Sequence, residues 1–199
     1  MNPFTYPAAP HVRRHGPRGY TAYASFRPWL RDEFAFRCVY CLLREQWGRT
    51  LGSFDLDHFL PTAHYPRRRG TYDNLLYCCA RCNAAKADAV IPDPCDVLVR
   101  GNVEIHPDGV LEARTPEARL LVRRLRLDDQ KSTEFRRLWL RIIAMAERHD
   151  PPLYRQLMGY PNDLPDLRRL RPPRGNSRPG GVAACCWNQR RDGTLPQTY

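Results

Sequence analysis

Four cysteines in two Cys-x-x-Cys pairs, Cys38/Cys41 and Cys79/Cys82, have metal-ligand spacing. A two-residue gap in a tight turn lets both thiolates face one ion, and two such turns close a tetrahedral zinc shell. A four-thiolate shell leaves no open coordination position, so this zinc is expected to be structural. The 37 residues 42–78 between the pairs are more than a plain zinc ribbon needs. Something is inserted there, and the insertion contains Asp57-His58. A carboxylate oxygen is a hard ligand for Mg2+ or Mn2+, and a neutral imidazole can take a proton from water. Cys78 adjoins Cys79, but only Cys79 leaves a two-residue gap to Cys82. Cys95 reads as a buried small hydrophobe. The adjacent Cys185-Cys186 pair is a poor chelate and is assigned no metal.

The order of these groups resembles the HNH endonuclease family. That family's pattern is Asp-His-x-x-Pro, then Asn-Leu, then Cys-x-x-Cys-Asn or Cys-x-x-Cys-His, then x-x-Lys. Here it is matched by Asp57-His58-Phe59-Leu60-Pro61, by Asn74-Leu75, and by Cys79-Ala80-Arg81-Cys82-Asn83-Ala84-Ala85-Lys86. The match covers about residues 36–90, and its parts occur in order at the family's spacing. The resemblance implies a ββα-metal core in which His58 is the general base and Asp57 and Asn83 hold one catalytic ion. It also implies that Asn74 fixes the loop and the orientation of His58. Asparagine rather than histidine at position 83 makes this an HNN variant. An amide oxygen is a harder ligand than imidazole, so Mg2+ or Mn2+ is expected there.

Other residues near the motif keep two readings. Arg67, Arg68 and Arg69 either clamp phosphates or form a solvated loop. Arg81 and Lys86 either touch phosphate or lie on a solvated helix face. Asp55 shares a strand face with Asp57 and reads as a structural hydrogen-bonding group. His64, a loop histidine, is left outside the site.

These side chains need elements to position them. Phe54 to Leu60 alternates as a short strand that Pro61 ends. Residues 72–86 read as a second strand, a knuckle and a helix start. Ser25 can cap a helix reaching about Phe34, with Trp29, Leu30 and Phe34 as its buried face. Val97–Val99 and Asn102–Ile105 look strand-like, with a turn at Pro107-Asp108-Gly109. Pro116 opens one helix and Ser132–His149 forms another. On the second, Phe135, Leu138, Trp139, Ile142, Ile143 and Met145 make one apolar stripe. A short helix is expected over 152–158.

The fold class expected is α+β. It divides into a basic irregular arm (1–24), an HNH core with its zinc bracket (25–95), a hairpin and helical region packed on that core (96–171), and a loosely structured basic, proline-rich tail (172–199) that either stays open or folds over the domain or onto nucleic acid. The net charge of +11, from 32 basic and 21 acidic residues, favours a polyanionic partner. Only Lys86 and Lys131 are lysines, so an arginine-rich coding bias weakens that inference. No apolar run is long enough for a transmembrane helix and no secretory leader is legible, so the expectation is a cytoplasmic protein with no membrane contact. The partner expected is nucleic acid, double-stranded DNA first, cut by metal-dependent hydrolysis to 5′-phosphate and 3′-hydroxyl ends. A monomer would nick, and double-strand cleavage would need dimerisation or two successive nicks; a homodimer or a partner subunit is the further partner considered. The rivals are a non-catalytic, zinc-stabilised nucleic-acid-binding module and a subunit of a defence or repair assembly.

Overall fold

A computed structural model describes residues 2–48 and 54–199. In chain order the elements are α1 (Arg27–Glu33), α2 (Glu45–Gly48), β1 (Phe54–His58), β2 (Leu75–Cys79), α3 (Ala80–Lys86), α4 (Pro94–Val97), β3 (Val103–Ile105), β4 (Leu111–Ala113), α5 (Pro116–Arg124), α6 (Gln130–His149), α7 (Pro151–Met158), α8 (Gly180–Ala183) and α9 (Cys186–Arg191). The fold is mixed α and β, with two separate two-stranded sheets among the described residues.

The β1–β2 pair is antiparallel, with Asp57 opposite Leu76 and His58 opposite Leu75. Every residue of β2 is buried, so the pair is covered on both faces. Leu56, Leu75 and Tyr77 pack with Phe26, Trp29 and Leu30 in and beside α1. Leu76 and Cys78 belong to a second cluster with Tyr6, Tyr40 and Leu98. A hairpin sandwiched this way has its register fixed, because a one-residue slip would exchange the two buried sets.

Local chemistry explains the starts of the longer helices after α4. Thr115, Asp129 and Asp150 accept from the backbone N–H groups of Ala118, Ser132 and Leu153, capping α5, α6 and α7. Ser25 does not cap α1. The chain enters that helix through a 3-10 turn over Tyr23–Phe26, and Ser25 N–H donates to Ala22 O within the approach. Val97 is not in a strand either. Asp93 caps Cys95 N–H and Pro94 starts α4, so this helix consumes the first part of the expected hairpin. The hairpin that forms, β3–β4, closes at Gly109, whose φ of +84° and close approach to Thr133 O on α6 leave no room for a Cβ.

The stripe on α6 is narrower than its sequence suggests. Ile143 and Ala146 are buried and Trp139 stacks on Trp47 at 4.2 Å, whereas Leu138 and Met145 are 56% and 64% exposed. Buried Arg136 donates to Gly109 O and Leu127 O, joining α6 to the hairpin turn.

Both ends of the chain are bound to the body. Phe4, Tyr6 and His15 of the arm are buried. The tail expected to be loose instead contains α8 and α9, with Cys185, Cys186 and Asn188 buried. It pairs with the arm where Ser177 N–H meets Gly16 O, and Arg178 reaches Asp73 at 2.9 Å. Among the described residues no helix is long and apolar enough to cross a membrane.

Candidate functional site: a cysteine cluster beside an Asp-His cleft

The first cysteine pair sits in a turn docked on β2. Val39 N–H donates to Tyr77 O, Cys38 N–H to Leu43 O and Leu42 N–H to Cys38 O, with Leu42 at φ +61°. The second pair straddles a strand-to-helix junction, where Cys79 is the N-cap of α3 and Cys82 lies in its first turns. All four Sγ atoms lie within 4.8 Å of one another. Cys41 and Cys79 are 3.7 Å apart, and a tetrahedral shell with Zn–S of about 2.3 Å needs sulfur atoms about 3.8 Å apart. No cysteine among the described residues is in a disulfide.

The donor chemistry fits a zinc ion as well. Hydrogen bonds from Cys38, Cys41 and Cys82 hold the Cys79 thiol far below its ordinary range, whereas burial pushes Cys38 up. Four thiolates in this buried space require a cation among them. Cys78 lies outside the cluster, as the spacing indicated, and burial beside Asp57 pushes its thiol up.

Asp57 and His58, at the end of β1, line a cleft of about 270 Å³ together with Tyr23, Thr62, Asn83 and Asp88. The structure therefore brings Asp57, His58 and Asn83 to one opening. Asp57 is only 4% exposed. Tyr40 Oη donates to its Oδ2 at 2.6 Å, and Lys86 Nζ donates to its Oδ1 at 3.0 Å. A carboxylate offers about four lone-pair positions, so two accepted bonds leave it able to face a cation in the cleft. Asn83 Nδ2 donates to Asp55 Oδ2 at 3.2 Å, leaving its amide oxygen as the atom available to a cation. Asp55 thereby has the structural hydrogen bond expected of it.

The tautomer of His58 follows from its partner. Its Nε2 lies 3.0 Å from Arg69 O, and a carbonyl can only accept, so Nε2 carries the proton and Nδ1 has a free lone pair. Burial lowers the His58 pKa below its ordinary 6.5, assisted by the Lys86 and Arg69 charges and opposed by the Arg69 carbonyl and Asp57. The lowered pKa favours the neutral imidazole. Tyr23 packs edge-on against it with ring centroids 5.0 Å apart.

Asn74 holds the loop that supplies this carbonyl. Its Oδ1 accepts from Leu60 N–H at 2.8 Å, and its Nδ2 donates to Leu60 O and Arg68 O at 3.1 and 3.3 Å. Arg67, Arg68 and Arg69 are exposed on this loop, and Arg69 leans over Tyr23 at the rim of the cleft. Arg81 is half exposed and paired with Asp129 at 3.0 Å. Lys86 corrects both of its sequence readings. It is fully buried, bound to Asp57 and to His58 O at 2.7 Å, so it neither meets phosphate nor lies on a solvated face. His64 is exposed and is not among the cleft residues.

Three residues at the site are not legible in the sequence. Tyr40 lies inside the first Cys-x-x-Cys turn, Tyr23 comes from the arm, and Asp88 follows α3 after Ala87 turns the chain at φ +50°. A tyrosine in a knuckle is the one available signal, but its contact with Asp57 spans 17 residues and needs the fold to be seen. No protein-family model and no curated protein matches the chain.

Proposed function

We propose that this protein is an HNH-type, metal-dependent nuclease that hydrolyses phosphodiester bonds in DNA. The observation that carries the reading is the convergence of Asp57, His58 and Asn83 on one cleft, with His58 Nδ1 left free by the Nε2–Arg69 bond. A neutral imidazole fixed by a carbonyl on one nitrogen is suited to take a proton through the other. The β1–β2 pair followed by α3 has the order of a ββα-metal core, and the four cysteines brace it from outside the cleft.

In this reading Asp57 and Asn83 would hold one Mg2+ or Mn2+ ion through hard oxygen ligands. Such an ion, when bound, neutralises charge on the phosphoryl group and on the departing 3′ oxygen. His58 Nδ1 accepts the proton of the attacking water. Asn74 keeps the loop in place, so the Arg69 carbonyl maintains the base in its productive tautomer. Arg67, Arg68 and Arg69 contact phosphates beside the scissile bond without reading bases. One such cleft cuts one strand, so a monomer nicks duplex DNA.

The end chemistry tests the proposal. Plasmid nicked by the protein in Mg2+ should be resealed by a DNA ligase, which joins 5′-phosphate to 3′-hydroxyl. Nicks that ligase cannot close would contradict the mechanism. A second reading draws support from the internal pairing of Asp57 with Lys86 and of Asn83 with Asp55, which satisfies these groups without a catalytic ion. On that reading the protein is a zinc-stabilised DNA-binding module. Binding to plasmid without nicking in either Mg2+ or Mn2+ would favour it.

A further inference from the structure

Tyr40 occupies the position just before the second cysteine of the first pair, in Cys38-Val39-Tyr40-Cys41. Tyr40 is fully buried behind the cleft wall, and its hydroxyl donates to Oδ2 of the cleft residue Asp57 at 2.6 Å. Lys86 holds the other oxygen of the same carboxylate from α3. The residue bonded to the proposed ligand of the catalytic ion is thus carried by the turn whose geometry depends on the four sulfur atoms. We infer that Tyr40 is a positioning residue that ties the cysteine cluster to Asp57, so that an intact zinc knuckle sets the affinity of the cleft for its divalent ion. This rests on the nuclease reading above and adds to it a coupling between the two metal sites.

The physical basis is the rotational freedom of a carboxylate. Asp57 can turn about its side-chain bonds, and any rotation that removes its outward lone pair from the cleft weakens a cation held there. Tyr40 and Lys86 each fix one oxygen, so rotation would break a charge-assisted hydrogen bond. Lys86 links that restraint to the second cysteine pair through α3, and Tyr40 links it to the first pair through the turn it sits in. The Tyr40 backbone is fixed by the knuckle, where Val39 N–H is bonded to Tyr77 O and Leu42 N–H to Cys38 O. Its carbonyl also accepts from Tyr6 Oη at 2.7 Å, so the turn is held on the arm side as well. Outer groups that orient a metal ligand are typically worth ~10–100-fold in metal affinity or activity.

The test compares Tyr40→Phe with Tyr6→Phe in the full, zinc-loaded chain. Each removes one buried hydroxyl bonded at this turn, but Tyr6 donates from the arm to the Tyr40 carbonyl and only Tyr40 touches Asp57. Mn2+ binding is measured by isothermal titration, alongside zinc content, melting temperature and plasmid nicking at several Mn2+ concentrations. Tyr40→Phe should keep its zinc and bind Mn2+ ~10–100-fold more weakly. Its nicking should recover as Mn2+ is raised, whereas Tyr6→Phe should bind Mn2+ as the wild type does. A lower melting temperature with unchanged Mn2+ affinity in Tyr40→Phe would overturn the inference and leave the nuclease reading intact. So would an equal loss of affinity in both variants. Wild-type protein that binds no Mn2+, or binds it as well with Asn83→Ala, would overturn the nuclease reading and the inference together.

Discussion

Glu33→Gln should release the N-terminal arm from α1 in a pH-dependent way. The Glu33 side chain has no exposure and accepts four hydrogen bonds: from His11 Nε2 at 3.0 Å, from the N–H groups of Arg14 and His15 at 2.8 and 3.0 Å, and from Tyr72 Oη at 2.9 Å. Burial would raise its pKa, but the donors outweigh burial and hold it at about 2, against an ordinary 4.5. At ~1.4 kcal/mol per pH unit, that difference corresponds to about 3 kcal/mol of stability from the ionised group. The folded-state pKa is depressed, so the contribution is fully present above pH 4.5 and is lost as the pH falls towards 2. Glutamine places an N–H₂ donor where two donors now converge and carries no charge. For a chain of this length, about 3 kcal/mol lowers the melting temperature by roughly 6–12 °C at pH 7. Calorimetric melts of both proteins at pH 7, 4 and 2 measure this. The gap should narrow steadily and nearly close at pH 2. A gap of the same size at pH 7 and pH 2 would show that packing, not the ionised clamp, holds the arm.

Further outcomes follow from the site. Cys79→Ser should lose the bound metal and unfold the 25–95 segment, whereas the wild type should carry one zinc per chain by elemental analysis; zinc-free wild-type protein that melts normally would contradict the bracket. Asn74→Ala removes three hydrogen bonds from a buried amide. At ~1 kcal/mol each it should cost about 3 kcal/mol in chemical denaturation, and kcat should fall more than KM rises because the Arg69 carbonyl is no longer fixed. Replacing Arg67, Arg68 and Arg69 together by Ala should leave the melting temperature unchanged, since all three are exposed. In DNA-binding titrations it should reduce the salt slope by up to ~2.7, at about 0.9 for each phosphate that the arginines no longer neutralise.

What is legible in the sequence is mostly local. The cysteine gaps, the strand that starts at Phe54, the Pro116 helix and the preference for Cys79 over Cys78 are short-range patterns, and the structure contains each of them, although the strand stops at His58, short of Pro61. The roles of Lys86 and Tyr40 are hidden for the opposite reason. A lysine in the last turn of a helix ordinarily reaches solvent, and its burial is tolerable here because the Asp57 carboxylate, 29 residues earlier, and the His58 carbonyl both accept from it. The order of the tail is hidden similarly. Its arginines and prolines indicate an open segment, but the cover over α1 depends on long-range bonds, such as Cys186 N–H to Asp32 Oδ1 at 2.7 Å. Leu138 and Met145 satisfy a helical period yet face outward, because periodicity marks a stripe without saying how wide the neighbouring surface is.

Relaxation of supercoiled plasmid in Mg2+, measured across pH 5 to 9 for wild type and His58→Ala, tests most directly whether His58 is the base of a DNA-cutting site. The wild type should nick with an acidic limb below the ordinary histidine value of 6.5, because burial lowers the His58 pKa. His58→Ala, folded and zinc-loaded, should lose at least ~100-fold of that rate. Equal nicking by the two proteins would contradict the assignment of His58, and a wild type that cuts with neither Mg2+ nor Mn2+ would contradict the nuclease itself.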